Sequence, residues 1–159
     1  SPLPLKLISG DIGPMNSTLF RADAAVIIPR VENQNSLPEM IAAIRACGAR
    51  VVMVGSEFDL EFFSIHRETI ERETSALVIA SPPETVRISN DKWLTAEFLR
   101  KNGLPHAPCH LPVDLDDALK QGEAWGYPYI LKTRSGTSSR HVHVIKSPQA
   151  LRDVYQTVP

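Results

Sequence analysis

Apolar residues in this chain gather in short runs, each stopped by turn-forming residues. Residues 24–28 (Ala-Ala-Val-Ile-Ile) end at Pro29, residues 51–54 (Val-Val-Met-Val) at Gly55-Ser56, and residues 76–80 (Ala-Leu-Val-Ile-Ala) at Ser81-Pro82-Pro83. Continuous apolar runs of this length predict strands buried on both faces, as in a parallel sheet. Between the runs the apolar positions step at helical spacing. Met40, Ile41, Ile44 and Cys47 predict one helix, with Ser36 and Glu39 as a capping box, Pro38 in the first turn and Gly48 at the end. Leu60, Phe62, Phe63, Ile65 and Ile70 predict a second, with Glu and Arg on its other side. Residues 5–9 read as a short strand ending at Gly10-Asp11, and residues 14–21 as a short helix or turn. Strand and helix alternate, which predicts an α/β layer with a parallel sheet.

The character changes after Pro83. Asp91 caps a helix through Trp93, Leu94, Phe98 and Leu99 that stops at Asn102-Gly103. Pro105, Pro108 and Pro112 make an extended connector, and Asp114 caps the helix of residues 115–125. Residues 127–133 and 141–145 predict an antiparallel hairpin around residues 134–140, followed by a last helix with Pro148 in its first turn. The change places a boundary near residues 86–90, so the expected domains are 1–89 and 90–159.

Composition narrows the function classes. Of 159 residues, 43% are hydrophobic and 22% charged, enough apolar surface for a packed core and against disorder. A net charge of −1 lacks the basic footprint of a nucleic-acid binder. No run of about 20 apolar residues spans a membrane. Cys47 and Cys109 form no CxxC pair and predict reduced thiols in a cytoplasmic protein. His110 follows Cys109 directly, and neighbours in an extended segment point to opposite sides, poor geometry for a nucleophile and its base. His106, Cys109, His110, His141 and His143 match no zinc-ligand spacing, although His141 and His143 alternate along one strand. Trp93 and Trp125 sit among apolar neighbours and read as packing residues. Asp59 reads as a helix cap beside Glu57 at a strand end, and Arg140 as a solvated edge residue or a phosphate contact.

The chemistry concentrates in Ile130-Leu131-Lys132-Thr133-Arg134-Ser135-Gly136-Thr137-Ser138-Ser139-Arg140. A strand delivers a lysine, and a loop of small residues follows. Small side chains let backbone N–H groups approach an anion, hydroxyls add donors, and Lys132 supplies a point charge for a phosphate. The lysine precedes the loop, so this is not a Walker motif. An ordinary hairpin turn with an exposed lysine is the plain alternative, as an ordinary capped helix start is for Asp91-Lys92.

In order along the chain stand Asp91-Lys92-Trp93-Leu94-Thr95, Asn102-Gly103-Leu104-Pro105, Gly126-Tyr127-Pro128-Tyr129-Ile130-Leu131-Lys132 and the small-residue loop. This set resembles the ATP-grasp superfamily, in its carbamoyl-phosphate-synthetase-like branch, with Thr133 where the family usually has proline. The front half, with Ala22-Asp23-Ala24, Ile28-Pro29-Arg30-Val31, Val54-Gly55-Ser56-Glu57 and Ser81-Pro82-Pro83-Glu84, resembles the domain that precedes the grasp. The resemblance implies a Rossmann-like pre-ATP-grasp parallel sheet followed by an α+β ATP-grasp N-terminal subdomain. It puts Lys92 and Lys132 on the phosphates of ATP, and Ser135, Gly136, Thr137, Ser138 and Ser139 in the loop that closes over the β- and γ-phosphates. The family's adenine hinge, magnesium ligands and catalytic arginine come later in its chains. The expectation is therefore an inactive N-terminal fragment of an ATP- and Mg²⁺-dependent ligase acting on a small carboxylate, with no catalytic or metal-binding residue of its own. The resemblance allows a homo-oligomer. A non-catalytic α/β module for assembly or small-ligand sensing is the alternative.

Overall fold

The computed structural model describes residues 4–136 and 141–158, in two compact units, Ser1–Val86 and Arg87–Pro159. The first holds β1 (Ile8–Asp11), a 3₁₀ turn (Ser17–Phe20), β2 (Ala24–Ile27), α1 (Ser36–Cys47), β3 (Val51–Met53), α2 (Glu57–Thr74) and β4 (Leu77–Ile79). Helix α3 (Pro83–Asn90) contains the boundary between the units. The second unit continues with α4 (Lys92–Lys101), α5 (Leu115–Trp125), β5 (Tyr129–Lys132), β6 (Val142–Ile145) and α6 (Pro148–Tyr155).

The first unit is α/β, with parallel strands. β1 pairs with β2 from Ile8 against Ala24 to Asp11 against Ile27, and β3 pairs with β4 from Val51 against Leu77 to Met53 against Ile79. Gly10 and Asp11 belong to β1 rather than ending it. Met40, Ile41 and Ile44 of α1, Phe63 and Ile70 of α2, and Val78 of β4 form the buried core. The strands are covered on one face only. Val52 packs on the core, while Val51 is 52% and Met53 79% exposed, and Leu77 and Ile79 are each 49% exposed around buried Val78. The expectation of strands buried on both faces is corrected: an unbroken apolar run carries no period from which the covered face can be told.

Two expected helix starts also differ. α1 has Asn35 as its N-cap without a side-chain cap hydrogen bond, and Ser36 lies inside the helix and is buried, so no capping box forms. α2 is entered through Ser56, and Asp59 sits in its first turn. Gly48 ends α1 as expected, in the left-handed region at φ 65°. The outer edge of β4 is closed by α2. Glu71 Oε1 accepts from the Val78 N–H at 3.0 Å and Arg67 Nη1 donates to the Ala80 carbonyl at 3.4 Å. These side chains satisfy groups that an open edge would present to another strand.

The second unit is α+β. β5 and β6 pair antiparallel, with Tyr129 opposite Ile145 and Lys132 opposite Val142. Ala118 and Leu119 of α5, Ile145 and Leu151 form the buried core beneath the hairpin. α6 is capped by Ser147, whose Oγ accepts from the Ala150 N–H at 3.2 Å, with Pro148 in its first turn. Trp125 is 43% exposed, with its ring edge-on to His110 and Tyr129, so it is not a core residue. His141 precedes β6 with φ 53°, and alternation along that strand starts only at Val142.

Gly122 of α5 makes room for β5. A Cβ at this position would lie 2.7 Å from Tyr129 Oη and 2.9 Å from the ring. Gly122→Ala gains about 1 kcal/mol of helix propensity and meets an overpacking penalty of about 1–3 kcal/mol. A net loss of about 1 kcal/mol is expected in denaturant unfolding. A stabilised Gly122→Ala variant would show that Tyr129 yields freely.

Candidate functional site

Strand alternation sets the two sides of β5. Tyr129 and Leu131 pack on the core of the second unit, and Ile130 and Lys132 point outward to solvent. Thr133 is buried directly after the strand, and the chain then turns through Arg134, Ser135 and Gly136. Gly136 has φ 112°, a conformation that strains any residue with a Cβ. Thr137, Ser138 and Ser139, with Arg140, lie outside the described residues.

The start of α4 meets this loop. Asp91 is the N-cap, with Oδ1 accepting from the Trp93 and Leu94 N–H groups at 3.0 Å each. Its Oδ2 accepts from Arg134 Nε at 2.7 Å. The Lys92 N–H donates to the Arg134 carbonyl at 3.0 Å, and Lys92 Nζ donates to the Gly136 carbonyl at 2.8 Å. Thr95 Oγ1 donates to the carbonyls of Ile88 and Asp91, at 2.7 and 3.0 Å, holding the turn before the helix. The fold thus brings Lys92, Arg134 and Gly136 together, with Lys132 two residues before Arg134 on the strand leading in.

The local electrostatics are cationic. Lys92, the Arg134 guanidinium and the positive end of α4 converge, and Asp91 is the carboxylate bonded to them among the described residues. Burial would raise the Asp91 pKa. Hydrogen bonds from the Leu94 N–H, the Arg134 guanidinium and the Trp93 N–H outweigh it and hold the carboxyl below its usual range. A depressed folded pKa gives stability that is complete above the unfolded value, about 3.9. That stability is lost as pH falls through the folded value. An NMR titration of the Asp91 carboxyl is expected to show a midpoint below about 3.9, and Asp91→Asn is expected to remove this part of the acid sensitivity. A midpoint above the ordinary value would contradict the Arg134 pairing.

Sequence reading identified Asp91 as a cap and Lys92 and Lys132 as phosphate candidates. It missed the pairing of Arg134 with Asp91, whose one signal was an arginine two residues after Lys132. On α4, α5 and the connector, Trp93, Glu97, His106, Cys109, His110 and Trp125 line a hollow of about 260 Å³. His110 and Cys109 both border it, and His110 Nε2 is 2.8 Å from Asp117 Oδ2. Asp117 is held below the usual carboxylate range by the Val113 N–H and by His110. Among the described residues no three His, Cys, Asp or Glu side chains come together as a metal site, and no helix is long and apolar enough to cross a membrane.

No family model matches the chain. It is 28% identical over 141 residues to the propionyl-CoA carboxylase alpha chain of Ruegeria pomeroyi, covering 86% of this chain and 20% of that protein. It is 26% identical over 136 residues to a carbamoyl-phosphate synthase of Methanobrevibacter smithii, covering 84% and 35%. The chain thus spans between a fifth and about a third of these relatives' length. Among solved structures, biotin carboxylase from Campylobacter jejuni superposes with TM-score 0.71 at 23% identity, over 94% of this chain and 34% of that one. The biotin carboxylase domain of Hydrogenobacter thermophilus 2-oxoglutarate carboxylase, solved with MgADP, ADP and bicarbonate, gives 0.68 at 21% identity, over 94% and 34%. At these identities the structural likeness is one of fold. These relatives and structural neighbours are ATP-grasp enzymes, and the chain is similar to them over most of its own length, in line with the ordered motifs from Asp91-Lys92 to Lys132 and its loop.

Proposed function

We propose that this chain supplies the phosphate grip of an ATP-dependent ligase that activates a small carboxylate, bicarbonate included, as an acyl phosphate. A carboxylate oxygen attacks the γ-phosphorus, the bond from that phosphorus to the β–γ bridging oxygen breaks, and ADP leaves. An amine or thiol then attacks the acyl carbon and phosphate departs. The transferring phosphoryl group is anionic throughout, so catalysis rests on positioned positive charge and N–H donors. Lys92 and Lys132 supply the charge. Ser135, Gly136, Thr137, Ser138 and Ser139 supply small-residue backbone and hydroxyl donors above the phosphates.

The observation that carries this reading is the cationic cluster itself, in which Lys92 Nζ is tied to the loop that follows Lys132. An anion fits there. Magnesium does not: both oxygens of Asp91 are engaged, by Arg134 and by the cap. Mg²⁺ would be held by carboxylates beyond this phosphate grip, and the 159 residues alone are accordingly proposed to be inactive. The test uses the full-length protein with MgATP, candidate carboxylates and hydroxylamine. Hydroxamate formation with matching ADP release is expected. ADP release without hydroxamate from any small carboxylate, and without N-hydroxycarbamate from bicarbonate, would count against acyl-phosphate chemistry.

A further inference from the structure

Asp91 does two jobs with two oxygens. Oδ1 caps α4, and Oδ2 binds Arg134 at 2.7 Å. The Arg134 carbonyl in turn accepts the Lys92 N–H. Two segments more than forty residues apart in sequence, Asp91-Lys92 and Arg134 to Gly136, are therefore fastened by a side chain at one end and by backbone in the middle. The outermost tie, Lys92 Nζ to the Gly136 carbonyl at 2.8 Å, is of a different kind. It joins an ammonium to a neutral acceptor, and an anionic oxygen is the stronger acceptor for that donor. The Asp91 and Arg134 pair has no such reason to exchange, since each already holds an opposite charge.

We propose that Arg134 is a positioning residue for the nucleotide phosphates. Paired with Asp91, it holds residues 134–136 against the start of α4 and so keeps Lys92 Nζ beside Gly136. A phosphate oxygen then takes the place of the Gly136 carbonyl on Lys92 while Arg134 stays on Asp91. This rests on the reading of Lys92 and Lys132 as phosphate ligands.

The test is calorimetric titration of the full-length protein with MgADP, for wild type, Arg134→Ala, Asp91→Asn and the double variant. Asparagine caps a helix about as well as aspartate, so Asp91→Asn breaks the ion pair and spares α4. The two single variants are each expected to weaken MgADP binding by about five- to tenfold, with the double variant no weaker than either. Arg134→Lys, which keeps the charge without the planar fork, is expected to recover part of the affinity. If Arg134 instead gripped phosphate directly, Asp91→Asn would free it and binding would be kept or strengthened while Arg134→Ala lost it; that pattern overturns the proposal. Wild-type affinity in Arg134→Ala overturns it too, while leaving the phosphate reading standing. Absence of MgADP binding by the wild type, or unchanged binding in Lys132→Ala, brings down the phosphate reading and this inference with it.

Discussion

Lys132→Ala in the full-length protein is expected to lower ATP-dependent turnover per unit of substrate affinity by about 100- to 1,000-fold. Lys132 ends β5 on the outward face, opposite Val142, while Tyr129 and Leu131 hold the strand on its core. Its ammonium is exposed, so removing it should change stability by no more than about 0.5 kcal/mol. A large loss of activity with an unchanged unfolding midpoint would therefore come from lost charge on the phosphates rather than from misfolding. Lys132→Arg keeps the charge but spreads it over a planar fork, and partial activity is expected. Lys132→Ala with wild-type kcat/KM for ATP would mean that the lysine is an exposed turn residue after all.

The second large effect is on stability. Leu151 of α6 is fully buried, with Ile145, Ala118 and Leu119, in the small core beneath the β5–β6 hairpin. Truncating it removes transfer free energy and leaves a cavity, for a loss of about 2–5 kcal/mol. Such a loss is a large share of the stability of a unit this size. Val144, 56% exposed on the other face of β6, is the control, and Val144→Ala should cost no more than about 0.5 kcal/mol. Both tryptophans, Trp93 and Trp125, lie in the second unit, so their fluorescence in a denaturant titration follows that unit separately from the first. A Leu151→Ala midpoint equal to wild type would contradict the core assignment.

Much of this was legible in the chain. The cap at Asp91, the cap at Asp114, the stop at Gly48 and the hairpin around residues 134–140 each rest on local chemistry, and local chemistry is what a single sequence displays. The lysine at the end of the predicted strand was legible too, but its outward face follows only from the packing of Tyr129 and Leu131 on the core. The differences have physical causes. Ser81-Pro82-Pro83 reads as the stop of a strand, and β4 does end before it; the helix α3 that begins at Pro83 was not foreseen, although a proline suits the first position of a helix. The runs of β3 and β4 hid their exposed faces because Val51, Met53, Leu77 and Ile79 are as apolar as their buried neighbours. Ser36 and Glu39 satisfied a pattern that the backbone did not use, since helix entry was set by Asn35. The bond from Arg134 to Asp91 spans a separation that no periodicity reports. That is why the cluster's two ends were visible and its closure was not.

The phosphate grip can be observed in a crystal structure of the full-length protein with Mg²⁺ and a non-hydrolysable ATP analogue. The expected result places Lys92 Nζ and Lys132 Nζ each about 2.7–2.9 Å from phosphate oxygens, with Lys92 released from the Gly136 carbonyl and Arg134 still on Asp91. Phosphates bound with neither lysine in contact would contradict it.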